Sequence, residues 1–246
     1  MPALHAVLFD LDGVLTPTAE FHMRAWERLF APLCAERAVA PYTSADYFAH
    51  IDGKPRFDGV ATMLASRGIE LPWGTIDDAP GDGTVCALGN KKNEIVNAMF
   101  AREGIDPYPG SIAFLDAVTA AGALVAVVSS SRNAPSVLAA AGIADRFEVV
   151  VDGAVAAVEG LEGKPSPATY EYAARLLGVP TTAAIVIEDA ISGVQAGAAG
   201  DFGLVVGVDR GVGADALTEH GADLVVADLG ELDATVLDRP AHEGTR

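Results

Sequence analysis

Hydrophobic and polar positions follow two regimes along the chain. The first apolar run, Ala6 to Phe9, breaks at Asp10-Leu11-Asp12-Gly13, the pattern of a short buried strand ending in a turn. Beyond Thr16-Pro17-Thr18 the spacing turns helical: Phe21, Ala25, Trp26, Leu29, Phe30 and Leu33 share one face of a helix over 18–33, capped by Thr18 and favoured by Glu20 near its positive end. Further helices are predicted at 44–50, 57–67 and 90–102, with a Pro-, Gly- and Asp-rich loop from Ile69 to Gly83. From Asp106 onward helices (111–121, 135–141, 167–177, 192–199) alternate with strands (124–128, 147–151, 184–187, 204–206) and a weaker final pair. Short, wholly apolar strands between helices predict a parallel sheet covered on both faces, so the fold class is α/β, with an all-helical segment inserted after the first strand.

Ligands of such sheets bind beyond the carboxyl ends of the strands. Asp10 and Asp12 stand at one such end, Ser129 at a second and Glu188-Asp189 at a third, while Lys164 lies on the loop after strand 147–151. Folding alone gives no reason to place carboxylates there, because a buried charge costs several kcal/mol unless paired or metal-bound. Four carboxylates beside a phosphate dianion would repel it, so the set calls for a cation. Hard oxygen donors suit Mg2+, with Lys164 adding positive charge and Ser129 a hydrogen bond to a phosphoryl oxygen. Asp10 then serves as a nucleophile toward phosphorus and Asp12 as its proton partner.

Composition narrows the partners. A net charge of −18 and a pI near 4.4 argue against nucleic acid and anionic membranes. Cys34 and Cys86 have neither disulfide-framework nor zinc spacing, and the acidic N-terminal stretch is unlike a signal peptide. The most apolar later run, Ala117 to Val128, contains Gly122 and is too short for a bilayer. A cytoplasmic protein is expected, as a monomer with larger assemblies left open.

Asp10-Leu11-Asp12-Gly13-Val14-Leu15, Ser129 after an apolar strand, Lys164-Pro165 and Glu188-Asp189 together resemble the four motifs of the haloacid dehalogenase superfamily, in this order and approximate spacing over nearly the whole chain. The resemblance implies a Rossmann-like core (1–17 and 104–246) carrying a helical cap (18–103). It also implies phosphotransfer through an aspartyl phosphate, with Mg2+ held by Asp10, the Asp12 carbonyl, Glu188 and Asp189.

Within the cap, Thr18-Ala19-Glu20-Phe21-His22-Met23-Arg24-Ala25-Trp26 is similar to a segment of β-phosphoglucomutases, which interconvert β-glucose 1-phosphate and glucose 6-phosphate through a bisphosphate. Gly53-Lys54-Pro55-Arg56-Phe57-Asp58 resembles their phosphate-gripping cap loop, and Ser129-Ser130-Ser131-Arg132-Asn133 their Ser-x-Ser-Lys-Asn loop. Lys92-Asn93 resembles a substrate-facing pair. By this resemblance His22, Arg56, Lys92, Ser131, Arg132 and Asn133 handle the sugar and its second phosphate. Pro17 departs from the pattern, which has an aspartate there. The alternatives are a sugar-phosphate phosphatase with water as acceptor and a non-catalytic Mg2+- or phosphate-binding module.

Overall fold

The computed structural model describes residues 4–51 and 54–239, so Gly53 of the cap-loop motif lies outside the described residues. It divides into two compact units, one made of the chain up to Pro17 and from Ile105 onward, the other of Thr18–Gly104.

The first unit is built on a wholly parallel six-stranded sheet in the order β3-β2-β1-β4-β5-β6. Its strands are β1 (Ala6–Phe9), β2 (Leu124–Val128), β3 (Val149–Val151), β4 (Ala184–Glu188), β5 (Leu204–Val208) and β6 (Leu224–Val226). The helices are α5 (Pro109–Ala120), α6 (Ala134–Ala140), α7 (Gly153–Glu159), α8 (Ala168–Leu177), α9 (Ile191–Ala199) and α10 (Ala214–Glu219). This is the parallel α/β sheet expected from the alternating pattern and the Rossmann-like core that the family resemblance implies, with its switch point at β1, which pairs with both β2 and β4.

Side chains of β1 alternate between the two faces of the sheet. Ala6 and Leu8 join a cluster with Tyr170, Ala173 and Ala174 of α8. On the opposite side the Phe9 ring meets Phe114 and Phe147 edge-on, each with centroids 6.1 Å apart. Phe9 lies level with Val127 and Ile187, so Asp10, Val128 and Glu188 emerge together at one edge.

The second unit is helical: α1 (Thr18–Glu36), one-turn α2 (Ser44–Asp46) leading into a π-helical turn (Tyr47–Ile51), α3 (Arg56–Ser66) and α4 (Val85–Glu103). Trp26, Leu29, Phe30, Leu33, Ile51, Val60, Met63, Leu64 and Leu88 form its core, with Trp26 stacked on Phe30 at 5.6 Å. Arg24 of α1 and Glu103 of α4 pair at 2.5 Å.

Several boundaries differ from the sequence expectation. Helix α4 starts at Val85 rather than 90, because the Thr84 hydroxyl caps it by accepting the Ala87 N–H at 2.9 Å. Gly89 sits inside this helix, where the Phe57 ring leaves no room for a Cβ. Helix α1 continues through an exposed Pro32. The stretch before Lys164, expected as loop, contains α7, capped by Asp152 and closed by left-handed Gly160. The strand expected over 147–151 shortens to Val149–Val151. The 69–83 segment is irregular, as expected, yet tied down: Asp78 accepts from Thr75 and Thr84, and Asn90 donates to the carbonyls of Ile76 and Asp78.

Because Phe9 is completely buried between two further rings, Phe9→Ala should cost about 3–5 kcal/mol of stability in urea unfolding. A loss below about 1 kcal/mol would show that the site is not the packed centre described.

Candidate active site

The edge where β1, β2 and β4 end carries the charged cluster. Asp10 follows β1 and is fastened to the sheet by its N–H to the Ile187 carbonyl, 2.9 Å. The Lys164 ammonium reaches it from the loop before α8. Its Nζ donates to Asp10 Oδ1 at 2.5 Å, to Glu188 Oε1 at 2.6 Å and to the Val128 carbonyl at 3.2 Å. The Lys164 side chain is only 7% exposed.

Glu188, the last residue of β4, is engaged at both oxygens. Oε1 also accepts from the buried Tyr170 hydroxyl at 3.1 Å, and Oε2 accepts the N–H groups of Asp189 and Ala190, each at 3.0 Å. Those amides lie just ahead of α9, whose positive end favours a carboxylate. Gly193 is dictated by the same group, since a Cβ there would overlap the Glu188 carboxylate. Gly13 is constrained twice over: its φ is +86°, and the Asp189 carboxylate fills the space a Cβ would take.

The cluster holds more negative charge than Lys164 neutralises. Burial opposes the Lys164 ammonium, but Asp10 and Glu188 overcome this and raise its pKa well above the ordinary lysine value. Burial pushes the Asp10 carboxyl up against the pull of Lys164, and Glu188, Asp189 and Asp12 add to the rise. Asp189 is likewise pushed up to about 7, by burial first and then by Glu188. Carboxylates in this condition have room for a further cation. Asp10, Glu188 and Asp189 each offer an oxygen within 4.8 Å of the others, an all-oxygen set that fits a hard divalent ion.

Ser129 is buried beyond β2, its hydroxyl 3.4 Å from Asp12 Oδ2 and accepting the Ser131 N–H at 3.1 Å. The Ser131 hydroxyl accepts the Asn133 N–H in turn, which gives this loop a fixed shape. Asn133 is buried and Arg132 exposed.

In the helical unit, Lys92 is buried in α4, its Nζ 2.5 Å from His22 Nδ1 and 5.0 Å from the Trp26 ring centroid. Nδ1 can accept from this ammonium only if unprotonated, which puts the ring proton on Nε2. Arg56 opens α3 and stacks over Phe57 at 4.8 Å. Thus the core unit gathers Asp10, Asp12, Ser129, Lys164, Glu188 and Asp189, while the helical unit brings His22 to Lys92.

A family model described as haloacid dehalogenase-like hydrolase matches residues 4–201. The chain belongs to this family. Proteins named β-phosphoglucomutase from Mycobacterium tuberculosis and Mycobacterium bovis are 49% identical over 93% of this chain and 91% of theirs. One from Bacillus subtilis is 31% identical over 93% of this chain and 95% of its own. The crystal structure described as a putative β-phosphoglucomutase from Thermotoga maritima superposes with a TM-score of 0.72 at 26% identity, covering 95% of this chain and 98% of that one. Like its haloacid dehalogenase relatives the chain is an enzyme, a phosphoglucomutase or a phosphatase.

Two residues of the core edge escaped sequence reading. Tyr170 looks like an ordinary apolar position of a helix, and only its bond to Glu188 sets it apart. Arg210 lies two residues beyond the end of β5, where the strand-end rule that singled out Asp10, Ser129 and Glu188 could have found it.

Burial, and then the like charge of Lys92, lowers the His22 pKa to about 3. The unfolded chain binds this proton near pH 6.5 and the folded one does not, so stability falls as pH drops from about 6.5 toward 3. Nitrogen NMR should find His22 neutral at pH 5 and the Nε2–H tautomer present; a ring titrating near 6.5 would contradict the Lys92 contact.

Proposed function

We propose that the chain is a Mg2+-dependent β-phosphoglucomutase that interconverts β-D-glucose 1-phosphate and glucose 6-phosphate through an aspartyl phosphate and glucose 1,6-bisphosphate. The observation that carries the phosphotransfer is the meeting of Asp10, Lys164, Glu188 and Asp189 at the strand ends. The preference for a mutase is supported by the relatives at 49% identity, so named over almost their whole length.

Asp10 attacks phosphorus, and the bond to the sugar oxygen breaks as Asp12 gives that oxygen a proton. In the reverse direction Asp12 takes the proton of an acceptor hydroxyl, which attacks the phosphorus of phospho-Asp10 and restores the carboxylate. Transfer to the 6-hydroxyl of β-glucose 1-phosphate gives the bisphosphate. Return of the 1-phosphoryl group to Asp10 leaves glucose 6-phosphate, and the phosphoenzyme is regenerated. Lys164 balances charge at Asp10, and Ser129 donates to a phosphoryl oxygen.

Asp10, Asp189 and the Asp12 carbonyl would hold Mg2+, with Glu188 completing the set; the bound ion supplies positive charge that keeps the carboxylates ionised and steadies the transferring phosphoryl oxygens. All four acceptor positions of Glu188 already have protein donors, so it ligates only by releasing one of them. His22, Arg56, Lys92, Ser131, Arg132 and Asn133 bind the sugar and the phosphate that is not transferring. Holding that second phosphate is what a mutase requires, since either end of the sugar must present itself to Asp10.

The second reading, a phosphatase with water as acceptor, is favoured by the family description as a hydrolase. Product partition separates the two. With β-glucose 1-phosphate, a trace of 1,6-bisphosphate and Mg2+, glucose 6-phosphate should form without matching release of inorganic phosphate. Free phosphate as the main product would replace the mutase with the phosphatase.

A further inference from the structure

We propose that Arg210 is a positioning residue for the loop carrying Asp12, an inference that rests on the reading of Asp12 as general acid and base. Gly13, directly after Asp12, has φ +86°, a region in which glycine is conformationally free. Its two peptide planes can swing unless something holds each of them. On one side the Gly13 N–H donates to the Thr16 carbonyl at 2.8 Å. On the other, Arg210 Nε donates to the Gly13 carbonyl at 2.8 Å. Between them the α-carbon lies against the Asp189 carboxylate. Freedom at Gly13 would therefore reach Asp12 along the chain and Asp189 through space.

Arg210 is itself fixed. Its guanidinium lies 3.8 Å from the centroid of the Tyr108 ring, and Nη1 donates to the Ala227 carbonyl at 3.2 Å and to Asp228 Oδ2 at 3.3 Å. Tyr108 is held in turn, its N–H donating to the Leu15 carbonyl at 3.0 Å. One planar group thus joins the segment after β5, the loop after β1 and the segment ahead of α5. Stacking on a ring while donating in the plane is within reach of a guanidinium and not of an ammonium. The ion pair with Asp228 is partly exposed and contributes little by itself, so the orientation of the fork is what matters. Arg210 donates to backbone and Asp228 rather than to the reacting carboxylates, and its effect on chemistry passes through Gly13.

The test compares Arg210→Ala and Arg210→Lys with the wild type, after circular dichroism shows both variants folded. For β-glucose 1-phosphate, kcat should fall on the order of 10- to 100-fold with KM within about 3-fold, as expected for a misplaced proton donor. The pre-steady-state burst from p-nitrophenyl phosphate, whose leaving group departs without a proton, should change less than about 3-fold. Added guanidinium should restore part of the loss in Arg210→Ala, and hydrogen exchange at the Gly13 amide should quicken in both variants. Equal losses on the two substrates, an unchanged kcat, or unchanged Gly13 exchange in folded variants would overturn the proposal. A wild-type protein inactive on the sugar phosphate would sink the mutase reading alone, leaving Gly13 exchange and an alkyl phosphate of comparable leaving group to decide on Arg210.

Discussion

The Lys164 ammonium, withdrawn from water between Asp10 and Glu188, is the interaction on which the rest of this molecule depends. Neither sign of charge could stay at the edge of an apolar sheet without the other, because an unpaired buried ion costs several kcal/mol. The order of the sheet makes the pairing possible: β1 and β4 are neighbours, so Asp10 and Glu188 emerge side by side, and the loop before α8 sets Lys164 across both. Tyr170 lies under the ammonium at 5.0 Å and donates to Glu188, so α8 supports the pair from below.

The same electrostatics reconcile a very acidic chain with a phosphate substrate. At a net charge of −18 the protein as a whole repels anions, and attraction has to be local. Lys164 supplies part of it. Burial, with the neighbouring carboxylates adding to it, raises the Asp10 and Asp189 carboxyls, and a divalent cation beside them would favour their ionised forms. Gly13 and Gly193 follow from this crowding, since the Asp189 and Glu188 carboxylates occupy the places their side chains would need.

Much of the core was legible in the sequence because the signals were breaks in strong patterns. The run Ala6–Phe9 stops at Asp10, Leu124–Val128 at Ser129 and the β4 run at Glu188, and strands of that apolarity have to be covered on both faces. What stayed hidden was decided by contacts between distant segments. The first turns of α4 depend on the Thr84 cap and on the Phe57 ring packed against Gly89, and α7 is a short helix made mostly of Gly and Ala. The environment of Lys92 could not be foreseen from its type, which is usually solvated; here it is buried against His22 and Trp26. Arg210 and Tyr170 carry ordinary residue types whose significance lies only in what they touch.

Whether the buried pair serves to present Asp10 as a nucleophile is settled most directly by trapping the enzyme during turnover. Quenching with borohydride reduces an aspartyl phosphate to homoserine, which peptide mass spectrometry locates. The account predicts homoserine at position 10 when β-glucose 1-phosphate and Mg2+ are present, and none in their absence. Homoserine at position 12 or 189, or product formed with no modified residue at all, would contradict it.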